Sequence, residues 1–414
     1  MNGQITPSGP TALRPIEVEV LVVGLGPAGS TALRILASSG ISALGVDRAE
    51  FPREKPCGGG VSARTLPFLP ENFMESLPHQ TTQGISLTLR GKREQRQDFG
   101  RPIAYQVRRD QFDLALLEQA RETGARIMTG IRDIRLSRRG GGFVAMIGEK
   151  TVFARAVMAA DGATSKVLRD LDPDSMSKIR KNPLLRPWTS AEGWASLRDP
   201  LDARFVAIDL GLVDGGYAWS FPKKDSLWGL GVAGFLKPLG DPRSVFSRYL
   251  VLREAELDSG GALTWPLPNF RAVRHGRIPG LFLVGDAGGI VDPFLGEGIY
   301  YAVLSGTKAA ESYIRSRNVL RSGPDLPEQS AMEYVRWLDR NIWPDFRQGS
   351  RLARTIYRFP GVFFALTGRY PKLLELYASI LTGDHDYRSF SREVIRRALG
   401  RLLPNRRPAA GRVL

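Results

Sequence analysis

Gly24, Gly26 and Gly29 follow the apolar run Val20-Leu-Val-Val and open a helical stretch, and Asp47 ends the next apolar segment. These residue types at this spacing suit a dinucleotide. Gly24 permits a tight turn, Gly26 lets backbone approach a pyrophosphate, and Gly29 lets helix and strand pack closely. The helix N-terminus offers free N–H groups and a favourable dipole to the phosphates, and Asp47 can accept hydrogen bonds from a ribose hydroxyl. A glycine triplet alone is weak. The order strand, helix, strand, terminal acid separates it from a plain βαβ turn. Two further apolar runs end in acid and glycine: Val152–Ala159 runs into Asp161-Gly162, and Leu281-Phe-Leu-Val into Gly285-Asp286, with Asp292-Pro293 and Gly296-Glu-Gly298 beyond. Gly229-Leu-Gly231-Val-Ala-Gly234 repeats the glycine spacing, but Pro238 and Pro242 stop any following helix. The alternation there says strand, with glycines that let another group approach closely.

The single cysteine, Cys57, sits in Lys55-Pro-Cys-Gly-Gly-Gly60. One cysteine excludes a disulfide framework, a cysteine-ligated zinc, an iron–sulfur cluster or a redox pair within this chain. His79, His275 and His385 are scattered without ligand spacing, so no metal is expected. Tyr217, Trp219 and Phe221 recur at period two and project from one strand face. Trp228, Leu230 and Val232 continue after the Lys223-Lys224-Asp-Ser turn, giving a hairpin with an apolar face, either the wall of a lipid cavity or an ordinary packed sheet. Lys223 and Lys224 read either as holders of a diphosphate or phospholipid headgroup or as a solvated turn.

The elements that position these residues follow from periodicity. Helices are expected at Pro27–Ser39, Arg109–Gly124 and from about Glu297 to Ile314, and strands at Ile127–Met128, Phe143–Ile147 and Val152–Ala159, with a turn at Arg138–Gly142. After Gly323-Pro324 the pattern is helical and rich in arginine. The 414 residues carry a net charge of +16, and +10 of that excess falls in residues 336–412, interleaved with Leu, Phe, Ile and Tyr. This favours an anionic lipid surface over nucleic acid, against a merely solvated basic face. Ser389–Leu403 reads as an interfacial helix or as one docked on its own core. Residues 1–15 read as a disordered lead-in, not a signal peptide, and no apolar run reaches the 18 or so residues that span a bilayer. The expected location is cytoplasmic, free or peripheral on the inner face of the cell membrane, and the expected state a monomer.

The chain resembles the geranylgeranyl reductase family of FAD-dependent oxidoreductases, within the para-hydroxybenzoate hydroxylase-like group. The likeness spans nearly the whole length. It rests on Gly24 to Gly29 with Asp47, Lys55 to Gly60, Arg109-x-x-Phe112-Asp113, Asp161-Gly162, Tyr217-x-Trp219-x-Phe221-Pro222, and Gly285-Asp286 with the glycine loop after it. The resemblance implies a mixed fold, α/β (α+β overall): a discontinuous Rossmann-like FAD-binding domain (16–78, 106–170, 271–320), an inserted, mostly antiparallel β-sheet substrate domain (79–105, 171–270) and a basic helical C-terminal region (321–414).

It further implies that Gly24, Gly26, Pro27, Ala28, Gly29, Asp47 and Arg48 hold the ADP half of FAD. Cys57, Gly58, Gly59, Arg109, Asp161, Gly162, Gly285 and Asp286 would reach the rest of the cofactor, and Pro293, Gly296, Gly298 and Ile299 the flavin end. Tyr217, Trp219, Phe221 and Pro222 would line an isoprenoid tunnel. The family's spacer between Pro222 and Gly229 is slightly longer than the six residues here, and Leu168 stands where an arginine is expected.

The implied reaction is saturation of C=C bonds in a polyprenyl lipid or prenyl diphosphate, with electrons from NADPH, NADH or reduced ferredoxin. An isolated alkene needs hydride on one carbon and a proton on the other. Tyr217 and Cys57 are the candidate catalytic residues on that proton path, with Cys57 equally readable as a small packing residue. A flavin-dependent monooxygenase or halogenase on the same fold is the alternative.

Overall fold

The computed structural model describes residues 15–182, 185–236, 239–320, 323–390 and 392. The expected lead-in, apart from Pro15, and the Ser389–Leu403 helix beyond Phe390, apart from Arg392, lie outside the described residues.

The apolar strand Ile16–Val23 is central to a seven-stranded sheet, paired in parallel with Ala43–Val46 on one side and Lys150–Ala159 on the other. Arg126–Met128 extends the first side. The long Lys150–Ala159 strand shares its far edge. Its first half pairs antiparallel with Gly142–Ile147, and its last three residues pair parallel with Leu281–Leu283. The register aligns Val23 with Val46 and Ala159, and Ala159 with Leu283. All four strands therefore release the chain at one level. That carboxyl edge is where open α/β sheets bind ligands.

Helix Pro27–Ser38 buries Ala28, Ala32, Leu33 and Leu36 and crosses the long helix Ile299–Leu320. The crossing is close: a Cβ on Gly306 would lie 2.2 Å from the Ala28 carbonyl oxygen. The later helix starts two residues after the expected Glu297 and continues six past Ile314, because Ala309, Ala310 and Tyr313 keep its apolar stripe buried to Ser316. A strand at Ile134–Arg139 was not expected. Arg135 and Arg139 lie on the exposed side of a hairpin with Gly142–Ile147 while Arg138 stands over the Phe143 ring, and the turn narrows to Gly140-Gly141.

A second, eight-stranded sheet draws all its strands from residues 84–98 and 188–267, and only the Phe205–Leu210 to Gly84–Leu89 pair is parallel. One face packs Ala191, Ala218, Leu230 and Val232 under Phe246 and Tyr249 of helix Pro242–Leu252. The other face looks toward the first sheet and the C-terminal helices Trp343–Arg358, Pro360–Arg369 and Lys372–Thr382. The register sets Tyr217, Trp219 and Phe221 opposite Ala233, Gly231 and Gly229. Trp228, Leu230 and Val232 consequently point to the opposite face, not beside the aromatic row. Facing residues share a side, and the turn places glycines, not tryptophan and leucine, across from the row.

Candidate cofactor and substrate site

Gly24 turns with φ +94°, and a Cβ there would meet the Ala160 carbonyl oxygen at 2.4 Å. A Cβ on Gly29 would lie 1.8 Å from the Gly24 oxygen, so the helix starts directly on the turn. Gly26 is the N-cap of Pro27–Ser38 and no side chain caps it. Arg53 reaches within 3.2 Å of where its Cβ would be, adding a cation to a helix N-terminus already suited to an anion. Arg53 is steadied by Asp113 at 3.0 Å. Asp47 is 6% exposed. Its carboxylate accepts the Leu25 N–H at 2.6 Å and the Ala49 N–H at 2.8 Å, which fixes its rotamer at the strand end. Arg48 is exposed.

From the neighbouring strand end, Asp161 accepts the Lys166 and Val167 N–H groups at 2.6 and 3.0 Å and so caps the next helix. Its Oδ1 has no partner among the described residues. Gly162 continues with φ +84° and open space around it. Beyond Leu281–Leu283, Gly285 is tied to Ser305 at 2.9 Å, and Asp286 pairs with Lys55 at 3.4 Å. Ala28, from the first helix, lies 3.1 Å from the Cβ position of Gly285. Three segments distant in sequence thus converge on one edge.

The loop from Asp292 to Gly298, with Pro293 and Gly296 inside it and Ile299 starting the helix, is clamped from three directions. Buried Asp292 accepts the Phe294 and Leu295 N–H groups at 2.7 and 2.8 Å. Tyr387 donates to its carboxylate at 2.8 Å. Tyr217 donates to the Leu295 carbonyl at 2.6 Å, and Tyr357 to the Phe294 carbonyl. Arg64 pairs with Glu297 and stands over the Tyr300 ring at 4.1 Å. Burial and the nearby Glu297 push the Asp292 carboxyl up, to about 7, against Arg64 and the two N–H donors. The Tyr217 hydroxyl is bound and its pKa is pushed far up, mainly by burial, so it holds the loop.

Across from this loop, Gly58 lies against Trp219 and Phe221: a Cβ on Gly58 would meet the Phe221 ring at 2.9 Å and Trp219 Nε1 at 3.0 Å. Cys57 Sγ accepts the Gly59 N–H at 3.4 Å. Arg109, 4% exposed, is held by Asp113 through two hydrogen bonds of 2.8 and 2.7 Å, and its guanidinium faces Cys57. Lys223 corrects the solvated reading of the hairpin turn. It is 4% exposed, donates to the Gly58 carbonyl at 2.5 Å and stands 5.4 Å over the Trp194 ring. Burial lowers it to about 7. Only Lys224 is solvated. Pro222 is buried at the end of the aromatic strand.

Two cavities flank the aromatic row. A narrow apolar one, about 340 Å³ only when its opening to solvent is included, lies between the sheet and the C-terminal helices, walled by Ile85, Ile208, Tyr217, Phe294, Tyr357 and Tyr377 among others. A more polar cleft of about 540 Å³, including its open mouth, is lined by Lys55, Cys57, Arg109, Glu192, Trp194 and Gly229. Tyr217 lies in the first, while Trp219 and Phe221 press on the loop that borders the second.

The residues fit FAD. Gly24 and Gly29 tolerate no Cβ, the helix N-terminus has no side-chain cap, and buried Asp161 Oδ1, Glu297 Oε1 and Trp219 Nε1 have no hydrogen-bond partner among the described residues. Arg53, Arg64, Glu192 and Lys223 were not singled out as cofactor or catalytic residues by sequence. A usable signal existed for Glu192, an acid in phase with Trp194 on a strand's inward face.

A family model described as an FAD binding domain matches residues 17–183. The chain is 30% identical over 331 residues to a menaquinone reductase of Mycobacterium tuberculosis, covering 74% of this chain and 79% of that one. It is 30% identical over 313 residues to a digeranylgeranylglycerophospholipid reductase of Methanothrix thermoacetophila, covering 71% and 76%. A crystal structure of a geranylgeranyl bacteriochlorophyll reductase-like protein from Thermoplasma acidophilum superposes with TM-score 0.68 at 20% identity, covering 94% of this chain and all of that one.

Proposed function

The chain belongs to the geranylgeranyl reductase family of FAD-dependent oxidoreductases, and from that premise we propose that it saturates C=C bonds of a polyprenyl chain. The observation that carries this reading is the apolar pocket whose walls Tyr217, Phe294 and Tyr357 are the same residues that form or anchor the flavin-side loop.

Gly24, Gly26, Gly29 and Arg53 would hold the pyrophosphate, Asp47 the ribose, and the Asp292–Gly298 loop the flavin end. When bound and reduced, FAD would supply the hydride. The chain's own part is to orient the alkene, exclude water and deliver a proton. Trp219 and Phe221, packed on Gly58, carry an apolar wall from the cavity toward Cys57. We assign residues 16–78, 106–170 and 271–320 to cofactor binding, 79–105 and 171–270 to the substrate sheet, and the helical C-terminal region to the cavity's outer wall.

The names of the relatives make a menaquinone tail and a phospholipid's geranylgeranyl chains the first substrates to test. No helix among the described residues is long and apolar enough to cross a membrane. We place the chain peripherally on an anionic bilayer. Phe359, Val362, Leu366 and Tyr370 are exposed apolar groups around helix Pro360–Arg369, beside exposed Arg354, Arg358, Arg369 and Lys372. Phe363 of the same helix lines the apolar cavity, so a chain could pass from bilayer to site.

Mass spectrometry of prenyl lipids from cells with and without the gene tests the assignment. A gain of two hydrogens per saturated bond is expected, and no change in any prenyl species would refute it. Anaerobic turnover separates the reductase from an oxygen-dependent monooxygenase or halogenase. Bleaching the flavin with NADPH, NADH or reduced ferredoxin in turn identifies the donor.

A further inference from the structure

Strand Trp188–Leu197 alternates across the second sheet. Ala191 and Ala195 enter the core beneath Phe246, so Glu192 and Trp194 face the other way, into the 540 Å³ cleft with Cys57 and Gly229. Glu192 pairs across the sheet with Gly231, over which the Trp219 indole lies, so the acid and the aromatic row are on the same face. It is 7% exposed, yet it makes no hydrogen bond or ion pair among the described residues. Buried carboxyls normally have a partner, and one left without is a candidate for chemistry.

The charged groups around it are committed elsewhere. Lys55 is paired with Asp286, Arg109 with Asp113, and Lys223 with the Gly58 carbonyl. Arg108 is held by Asp110 at the mouth, where Glu54 is exposed. Cys57 is the remaining titratable group in the lining. Tyr217 has its hydroxyl bound to Leu295.

Resting on the reductase reading, and with the reacting alkene carried from the apolar pocket past Trp219 and Phe221 into this cleft, we infer that Glu192 is the acid that protonates it. Bound, reduced FAD would supply the hydride that one alkene carbon takes up. At the other carbon the π electrons would take the proton of the Glu192 carboxyl, leaving an alkane, a cofactor oxidised by two electrons and a carboxylate. The carboxylate is then reprotonated from solvent through the mouth past Glu54 and Asp110. Burial supports the role: it pushes the carboxyl up to about 8 against Lys55, Lys223 and Arg109, so the acid carries its proton at neutral pH. Lys55 and Arg109 then stabilise the carboxylate that forms.

The test uses dithionite-reduced holoenzyme, mixed anaerobically with geranylgeranyl diphosphate and, separately, with a menaquinone, while flavin reoxidation is followed by absorbance. Glu192→Gln should bind FAD and be reduced as wild type is, but reoxidise about 10²-fold or more slowly, the usual range for loss of a general acid. Glu192→Asp should recover part of that loss. The wild-type rate should fall as pH rises through about 8, and the Glu192→Gln rate should be flat there. A Glu192→Gln rate within about 3-fold of wild type with the same pH profile would overturn the assignment while the reductase reading stands. Wild-type flavin that no prenyl substrate reoxidises would overturn both.

Discussion

Replacing Tyr387 with Phe removes one hydroxyl from the underside of the Asp292–Gly298 loop and leaves the ring in place. That hydroxyl is fully buried and lies 2.8 Å from both oxygens of Asp292. A hydrogen bond to a charged group contributes about 1.5–3 kcal/mol. The carboxylate keeps the Phe294 and Leu295 N–H donors at 2.7 and 2.8 Å, so the lower half of that range, about 2 kcal/mol, is expected at pH 8. At about 2 °C per kcal/mol for a large cooperative unit, Tm should drop by about 4 °C. If the loss falls wholly on the cofactor-competent loop, FAD binds up to about 30-fold more weakly.

The pH dependence has a definite sign. The folded value of Asp292, about 7, is above its unfolded value, so the stability it contributes is complete in acid and is lost as pH rises through about 7. Tyr387 donates to the charged form, so the variant is weakest relative to wild type above pH 7. Below that, Asp292 is protonated in both proteins and the gap should shrink to the about 0.5–1.5 kcal/mol of a neutral bond. Urea melts at pH 8 and 5.5 measure it, with Tyr313→Phe as control. The Tyr313 hydroxyl is buried with no hydrogen-bond partner among the described residues, so its removal should cost almost nothing. Equal effects of the two substitutions at pH 8 would refute the clamp.

Three further outcomes follow from the same geometry. Gly24→Ala places a side chain at φ +94° and 2.4 Å from a backbone oxygen; FAD affinity by fluorescence titration should fall at least about 10-fold. Gly231→Ala would put a Cβ 2.1 Å from the Trp219 indole; about 1–3 kcal/mol of overpacking is expected in a thermal melt, with flavin content retained and the substrate KM raised. Val362→Asp combined with Leu366→Asp, both at exposed positions, should abolish co-sedimentation with phosphatidylglycerol vesicles and leave Tm nearly unchanged.

The nucleotide cradle was legible because its constraints are local. Gly24 and Gly29 face backbone a few residues away or on the adjacent strand, and a turn that excludes Cβ leaves a glycine in the sequence wherever it occurs. The same holds for the period-two aromatics and for the helical C-terminal region, whose arginines and apolar residues alternate at helical spacing. The strand register was not legible. Tyr217, Trp219 and Phe221 were identified as one face, but whether Gly231 or Leu230 stood across from Trp219 depended on how the turn at 223–227 closed.

Sequence by itself determined a strand–turn–helix whose glycines suit a dinucleotide, that one cysteine rules out several redox chemistries, and that an aromatic strand awaits an apolar partner. These follow from residue type and short spacing. Tertiary structure decided which charges are buried and what each one faces. Lys223, readable as a headgroup holder or a solvated turn, is a buried donor to Gly58. Tyr217, a candidate for the proton path, also anchors a loop. Glu192, one carboxylate among many in the sequence, is buried in the cleft with no hydrogen bond or ion pair among the described residues. Burial and pairing depend on contacts between residues 50 to 200 positions apart, and no local pattern carries that distance.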